Sequence, residues 1–292
     1  MKEKTNKVHV HGFINRVIAN EMPEGKKSFF IDVATMEAYQ KKQAEGTSKE
    51  YERKYTFHTV NVITDDKKTI KALEGIAADL QANKDNMDVK DYKPKKHEAS
   101  FDGSLVTRAN EDKEKGVTYY NTLIMSSVDE MKLDAKLEKD EVRNMAYFKG
   151  NIADVNIKDG FATLSIATHY YAPGESTNYK GEEKGYTEKT TYVNTRISGN
   201  FLSEEFEALK NGDIAKGDLI TVKGRMHNNR YTDKDGVNRS AIVVDIRDIN
   251  LVAKKGEKQA EAEKQEKKQE EKPKKTAVKK ATPKKKTQVK MS

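Results

Sequence analysis

The sequence predicts an all-β chain with short helices, arranged as two tandem five-stranded barrels followed by a disordered tail. Three observations predict it. The chain repeats itself, the repeated stretches alternate apolar and polar residues with period two, and residues 254–292 have almost nothing to bury.

The repeat opens at residues 8–35 (VHVHGFINRVIANEMPEGKKSFFIDVAT) and returns at 147–168 (YFKGNIADVNIKDGFATLSIAT). Each copy has a short alternating run ending in glycine, Gly12 or Gly150, then a glycine-bearing turn, Gly25 or Gly160. An alternating strand follows and closes on Ala-Thr, with Ile31, Val33, Ala34 and Thr35 matching Leu164, Ile166, Ala167 and Thr168. Such alternation sets one face of a strand against a core. Long polar loops are expected at about residues 39–54 and 170–189, the second carrying Tyr170, Tyr171, Tyr179 and Tyr186. Third strands come next, YTFHTVNVI from Tyr55 and TTYVNTRI from Thr190. Residues 67–81 then place Ile70, Leu73, Ile76, Ala77 and Leu80 on one helical face. In the second copy Ser203 is placed to cap a short helix, with Glu204 and Glu205 in its first turn and Phe206 and Leu209 facing inward. Fourth and fifth strands close each unit: ASFDGSLVT and YYNTLIMSSVDEMKL, then DLITVKGRMHN and SAIVVDIRDINLV. The turns between them, EDKEKGV and TDKDGV, carry Lys-Gly or Asp-Gly at the tip, which suits a hairpin. Three strands, a helix and a long hairpin is the order of an OB barrel. The expected domains are residues 1–133, a diverged first barrel, and 143–253, joined by the charged connector DAKLEKDEV. From residue 254 the chain turns to Lys, Glu, Gln and Ala, and Pro273 and Pro283 interrupt any helix.

Composition narrows the function. Hydrophobic and charged residues each make up 35% of 292 residues, apolar-poor for one large globule but suited to small barrels with a solvated segment. There is no cysteine, hence no disulfide and no thiolate metal site. The start, MKEKTNKVHV, lacks the apolar stretch of a signal peptide, and no window approaches the ~18 apolar residues of a membrane span. A cytoplasmic protein without a membrane partner is expected. The net charge of +8 is unevenly placed, for residues 254–292 hold 15 Lys and 6 Glu and leave the rest of the chain near neutral. Binding by the barrels must therefore come from local patches and stacking surfaces. Enzyme signatures are missing. The six histidines are scattered, and His9 and His11 share a strand face with no Asp, Glu or third His to complete a ligand set, so the pair is read as structural. The stretch Asp233-Lys-Asp235-Gly starts like a calcium loop, but its glycine comes too early and no Glu holds the twelfth position. There is no phosphate-cradling glycine loop and no nucleophile elbow. No cofactor and no catalysis are expected.

Residues 231–246, YTDKDGVNRSAIVVDI, resemble the last hairpin of the bacterial single-stranded DNA-binding proteins: an aromatic before Thr-Asp, a glycine-bearing tip, and an Arg leading into a β-branched strand. KGDLITVKGRM, TYVNTRISG, KGNIADV and TLSIAT resemble other strands of that family, in the family's order. The resemblance covers nearly all of the second unit and, more weakly, the first. It implies OB barrels that bind single strands by stacking bases on aromatics. It places Tyr231 at the aromatic before Thr-Asp, Tyr192 at the third-strand aromatic and Tyr171 near the aromatic after the second strand. Phe57 and Tyr39 take the last two kinds of place in the first unit. It also implies a homodimer, so that four barrels are presented, and roles in DNA replication, recombination or repair alongside proteins of those processes. The chain departs from the family at Ser198, where an aromatic is frequent, and at Ala109 and Asn110, which hold the place of Tyr231 in the first unit. It lacks tryptophan and ends KKKTQVKMS where the family has an acidic, apolar-tipped terminus. The unusual tail and diverged first barrel suit a phage or mobile-element version acting in a host cytoplasm.

The residues themselves point the same way. Sequence-tolerant binding needs open π-faces and cations along a groove. Tyr192 alternates with Thr190, Asn194 and Arg196 on one strand face, and stands either outward or in the barrel. Tyr231 adjoins Arg230 and follows Arg225 on a protruding hairpin, too far out for the core. Lys26, Lys27, Arg53 and Lys54 are solvated surface or phosphate contacts. The candidate interface is Tyr231, Tyr192, Tyr171, Arg230, Arg225, Arg196, Phe57, Tyr39 and Lys54. Two other functions fit the same scaffold: an RNA-binding OB protein, and a structural or replisome adaptor whose barrels bind protein.

Overall fold

The computed structural model describes residues 5–40, 51–112, 117–136, 143–173, 186–232 and 238–256. Strand β1 (Asn6–Glu21) begins the first barrel. It is followed by β2 (Lys27–Gln40), β3 (Tyr51–Thr64), helix α1 (Lys67–Asp85), β4 (Glu98–Asp112), β5 (Val117–Ser126) and a short β6 (Met131–Leu133). The second repeats the order with β7 (Asn144–Lys158), β8 (Phe161–Pro173), β9 (Tyr186–Ser198), α2 (Ser203–Asn211), β10 (Leu219–Thr232) and β11 (Asn238–Ala253). In the first ring β1 pairs with β2, β2 with β3, β3 in parallel with β5, β5 with β4, and β4 back with β1. Strands β7, β8, β9, β11 and β10 close a second ring in the same sequence, again with one parallel pair. The predicted pair of five-stranded OB barrels is present.

Each ring closes over the alternating residues. Phe29, Ile31, Val33, Val60, Val62 and Phe101 fill the first barrel, and Phe148, Leu164, Ile166, Val193, Ile197 and Ile220 fill the second, all of them buried. Gly12 and Gly150 lie inside β1 and β7, not at strand ends. Each passes so close to a carbonyl of the next strand, that of Ala34 or Ala167, that a Cβ would collide with it. Both strands are bulged at the same place, between Ile14 and Arg16 and between Ile152 and Asp154, which bends them around their barrels.

Local chemistry accounts for the helices. Asp66 caps α1 by accepting from Thr69 N at 2.8 Å, and Leu73 and Ile76 are buried with Ile70 and Leu80 packed beside them. Helix α2 buries Phe206 and Leu209 as expected, but its cap is Leu202, which offers no side-chain hydrogen bond, so Ser203 is the first helical residue and not the cap.

Three further features differ from what the sequence predicts. The described ends of the expected loops at 39–54 and 170–189 are two-stranded ribbons, with Tyr39 opposite Glu52, Gln40 opposite Tyr51 and Pro173 opposite Tyr186, while residues 41–50 and 174–185 lie outside the described residues. A ribbon projecting beyond the core needs no buried face, so its polar composition imitated a loop. The stretch read as one fifth strand breaks at Ser127 and Glu130, whose side chains and backbones form a capping box around a 3-10 turn, and β6 then pairs with β4. The barrels are also joined edge to edge. Strand β1 pairs antiparallel with β7, from Asn6 opposite Phe148 to Val10 opposite Asn144, and residues 1–255 form one compact unit. Equivalent residues trade places across this pairing, which therefore has near-twofold symmetry about Val8 and Ala146. Asn6 and Asn144, both buried, bond both backbone groups of a residue on the hairpin of their own barrel, Leu105 and Met226 respectively, at 2.6–3.0 Å. Lys254 and Lys255 still belong to this body. Lys255 N donates to the buried Asp218 carboxylate at 2.8 Å, and Lys254 reaches the carbonyl of Asp213. The tail beyond residue 256 lies outside the described residues.

Candidate nucleic-acid interface

Strands β3 and β9 hold equivalent places, and both turn aromatic rings outward. On β3, Thr56, His58 and Val60 point into the barrel while Tyr55 and Phe57 stand 55% and 42% exposed. On β9, Thr191, Val193 and Thr195 are inside and Tyr192 is 56% exposed. The choice left open for Tyr192 falls on the outward side. The rungs opposite the two equivalent rings carry Ala34 and Ala167, too small to cover them.

Each aromatic strand is also held against the other barrel. Thr107 on β4 donates its hydroxyl to Tyr192 O at 2.9 Å and its N–H to Thr191 Oγ1 at 3.0 Å. Reciprocally, Asn228 on β10 donates to Phe57 O at 2.9 Å. The hairpin β10–β11 therefore runs beside Phe57, and the hairpin β4–β5 beside Tyr192. Each outward aromatic surface is composite, built from the third strand of one barrel and the hairpin of the other.

The cations are less free than their sequence positions suggest. Arg196 points outward as expected, but its Nε donates to Asp245 on β11 at 2.9 Å. His227 Nδ1 stands 3.1 Å from the same carboxylate. Burial works against the charge on Asp245, yet His227 and Arg196 outweigh it and hold the carboxyl below its ordinary value. Lys26 is paired with Glu24 at 2.7 Å, and Lys27 bridges Glu74 and Glu21 at 2.7 and 2.8 Å. The hydrogen bonds to those carboxylates raise both amines. Arg16, unmarked in the sequence reading, bonds Asp32, which also accepts from Thr59 Oγ1 at 2.9 Å. Arg225 is exposed on β10. Tyr231 and Arg230 lie on β10 opposite Arg239 and Ser240, Tyr171 on β8 opposite Glu188, and Tyr39 and Lys54 on the β2–β3 ribbon. The side chains of those five lie outside the described residues, as do Tyr179 and the two hairpin tips.

His9 and His11 each find an acid across the β1–β4 ladder, Asp102 at 2.8 Å and Glu98 at 3.1 Å. Among the described residues no group of three or more His, Cys, Asp or Glu side chains could hold a metal, and no helix is long and apolar enough to cross a membrane. Tyr55 is marked in the sequence only by its place two residues before Phe57 on the same face, and Phe201 and Arg247 meet only in three dimensions.

Solved structures share this fold, two of them from one organism. A deletion mutant of the single-stranded DNA binding protein from Thermus aquaticus matches with a TM-score of 0.51 at 16% identity, over 85% of this chain and 95% of that one. The wild-type protein from Thermus aquaticus matches with a TM-score of 0.50 at 16% identity, over 85% and 93%. No family model and no curated protein matches the sequence.

Proposed function

We propose that the chain binds single-stranded DNA with little regard to sequence, along a path that crosses both barrels. The observation that carries this reading is the pair of uncovered rings, Phe57 and Tyr192, at equivalent outward positions, each beside the hairpin of the other barrel. Unpaired bases offer a π-face to such rings and duplex bases do not. The shared fold supports the same reading, since the Thermus aquaticus protein is described as single-stranded DNA binding. Tyr231, Tyr171, Tyr39, Arg230, Arg225 and Lys54 extend the path along the ribbons, and Arg196 contributes through its exposed edge. The protein acts without catalysis or cofactor, in the cytoplasm of a bacterium or of a phage's host. There it coats strands opened in replication, recombination or repair, as a homodimer. Residues 1–133 and 143–253 are the two binding domains, and the lysine-rich tail adds phosphate attraction.

The test is fluorescence anisotropy of the full chain with labelled oligo-dT, with a hairpin duplex of equal length and with a matched RNA. Tight binding to oligo-dT and weak binding to duplex is the expected result. Equal affinity for single strand and duplex would overturn the proposal, and preference for the RNA would move the function to RNA on the same surface.

A further inference from the structure

Beyond Arg196, the outward face of β9 runs into an open cleft on the second barrel that encloses about 510 Å3. Ser198, Asn200 and Phe201 form one side, and Asp245 and Arg247 of β11 the other, with Asp159 at the rim. Phe201 is 56% exposed, and the Arg247 guanidinium lies 4.6 Å from the centre of its ring. Among the described residues that ring is the partner Arg247 has, with no carboxylate at ion-pair distance. An exposed aromatic under a planar cation is a stacking platform. Asn200 and Ser198 add a donor and acceptor pair at its edge.

The first barrel gives these positions other work. The parallel rungs Val60–Ile124 and Thr195–Val244 are equivalent. Counting along from them sets Asp65 and Asp66 in the places of Asn200 and Phe201, and Ser127 in the place of Arg247. There Asp66 caps α1, and Ser127 belongs to the capping box of the 3-10 turn. On the second barrel α2 has no capping side chain at all. The place of the α1 cap Asp66 is held by the aromatic Phe201, and the place of Ser127 of the 3-10 turn by Arg247, neither of which caps α2.

We infer that this cleft is a nucleobase subsite, in which one unpaired base of a bound strand stacks on the Phe201–Arg247 platform with its edge toward Asn200 and Ser198. The ligand is a base and not a phosphate, because the arginines and carboxylates lining the cleft balance one another. The inference rests on the single-strand reading above. It makes the path longer on the second barrel than on the first, running from Tyr192 past Asn194 and Arg196 to Phe201.

The experiment is an oligo-dT titration of the full chain against Phe201→Ala, Phe201→Tyr and Tyr192→Ala, across a range of salt. Phe201→Ala is expected to weaken binding roughly fivefold to a hundredfold, the loss of one stacked base. Its salt dependence should parallel the wild type, because no phosphate contact is lost. Phe201→Tyr, which keeps a π-face, should bind like the wild type, and unchanged thermal melts will show that all variants fold. If Tyr192→Ala weakens binding and Phe201→Ala does not, the cleft inference falls and the single-strand reading stands. A shallower salt slope in Phe201→Ala overturns the base assignment. No binding of oligo-dT by the wild type removes both.

Discussion

Tyr192 and Phe57 owe their exposure to strand alternation and to the alanines across from them, so replacing either should leave the barrels intact. Tyr192→Ala and Phe57→Ala are each expected to cost about 1–3 kcal/mol in oligo-dT affinity with unchanged melting temperature. Titration by anisotropy checks this, and affinities within twofold of wild type for both would remove these rings from the interface. Tyr231→Ala should cost more than Tyr39→Ala if the second barrel does most of the stacking. The strands that carry them were legible from period two, but alternation alone left open whether Tyr192 faces outward or into the barrel. The ion pair of Arg196 was not legible, since its partner Asp245 comes from a distant strand joined only by the parallel closure. His58 was equally hidden. It fills the place in the first barrel that Val193 fills in the second, with Nε2 at 3.1 Å from Thr35 Oγ1. Burial pushes the imidazole down to about 3. Below the ordinary pKa of histidine the unfolded chain takes up a proton that the native barrel refuses. Stability is therefore lost as pH falls from about 6.5 toward 3, at up to about 1.4 kcal/mol per pH unit from this residue. His58→Val is expected to melt like the wild type at pH 8 and to resist acid better. Parallel loss of melting temperature in both proteins between pH 6.5 and 4 would show that His58 does not govern it.

At the scale of elements, the repeat, the three strands, the helix and the hairpin of each barrel could be read from sequence because alternation and helical spacing are local. The ribbons and β6 could not, because a strand without a buried face has no apolar signature and a three-residue strand is too short to show one. Nor could the edge-to-edge union of β1 with β7, since alternation reports which face is buried and not which neighbour lies beside the strand. Beside that union, Asn6 and Asn144 each fasten their strand to the hairpin of their own barrel. Asn144→Ala leaves the N–H and C=O of Met226 without this partner, and Asn6→Ala does the same to Leu105. At about 1–3 kcal/mol for each buried group left unsatisfied, either change should lower the urea midpoint clearly at neutral pH. A midpoint within error of wild type would mean that water replaces the amide. The composite surfaces also bear on dissection. Residues 1–133 alone keep Phe57 but lose Asn228 and the β10–β11 hairpin beside it, so an isolated barrel is expected to bind oligo-dT more weakly than the same barrel in the full chain.

For the whole molecule, charge separates into a near-neutral body and a tail from residue 257 in which lysines outnumber glutamates. Because Lys254 and Lys255 are anchored on Asp218, the informative truncation ends at Gly256. It should leave the melting temperature unchanged, lower affinity at low salt, and flatten the dependence of log K on log salt, as fewer counterions are released. An unchanged slope would assign the tail to a protein partner. Light scattering of the full chain should find a dimer, and a monomer at micromolar concentration would count against the four-barrel assembly. The pairing of β1 with β7 has a further consequence, for the ribosome. Val8 leaves the exit tunnel long before Ala146 exists, and at ~5–20 residues per second the intervening chain takes roughly 7–28 s to synthesise. Once β6 ends at Leu133 the completed first barrel carries an open strand edge, and its natural mate at Ala146 is still 13 residues, roughly 0.7–2.6 s, from being made. Because the pairing is nearly twofold, the β1 of a neighbouring nascent chain on the same polysome is an acceptable substitute. Crowded translation of a single message is therefore where this protein would be most prone to join the wrong partner.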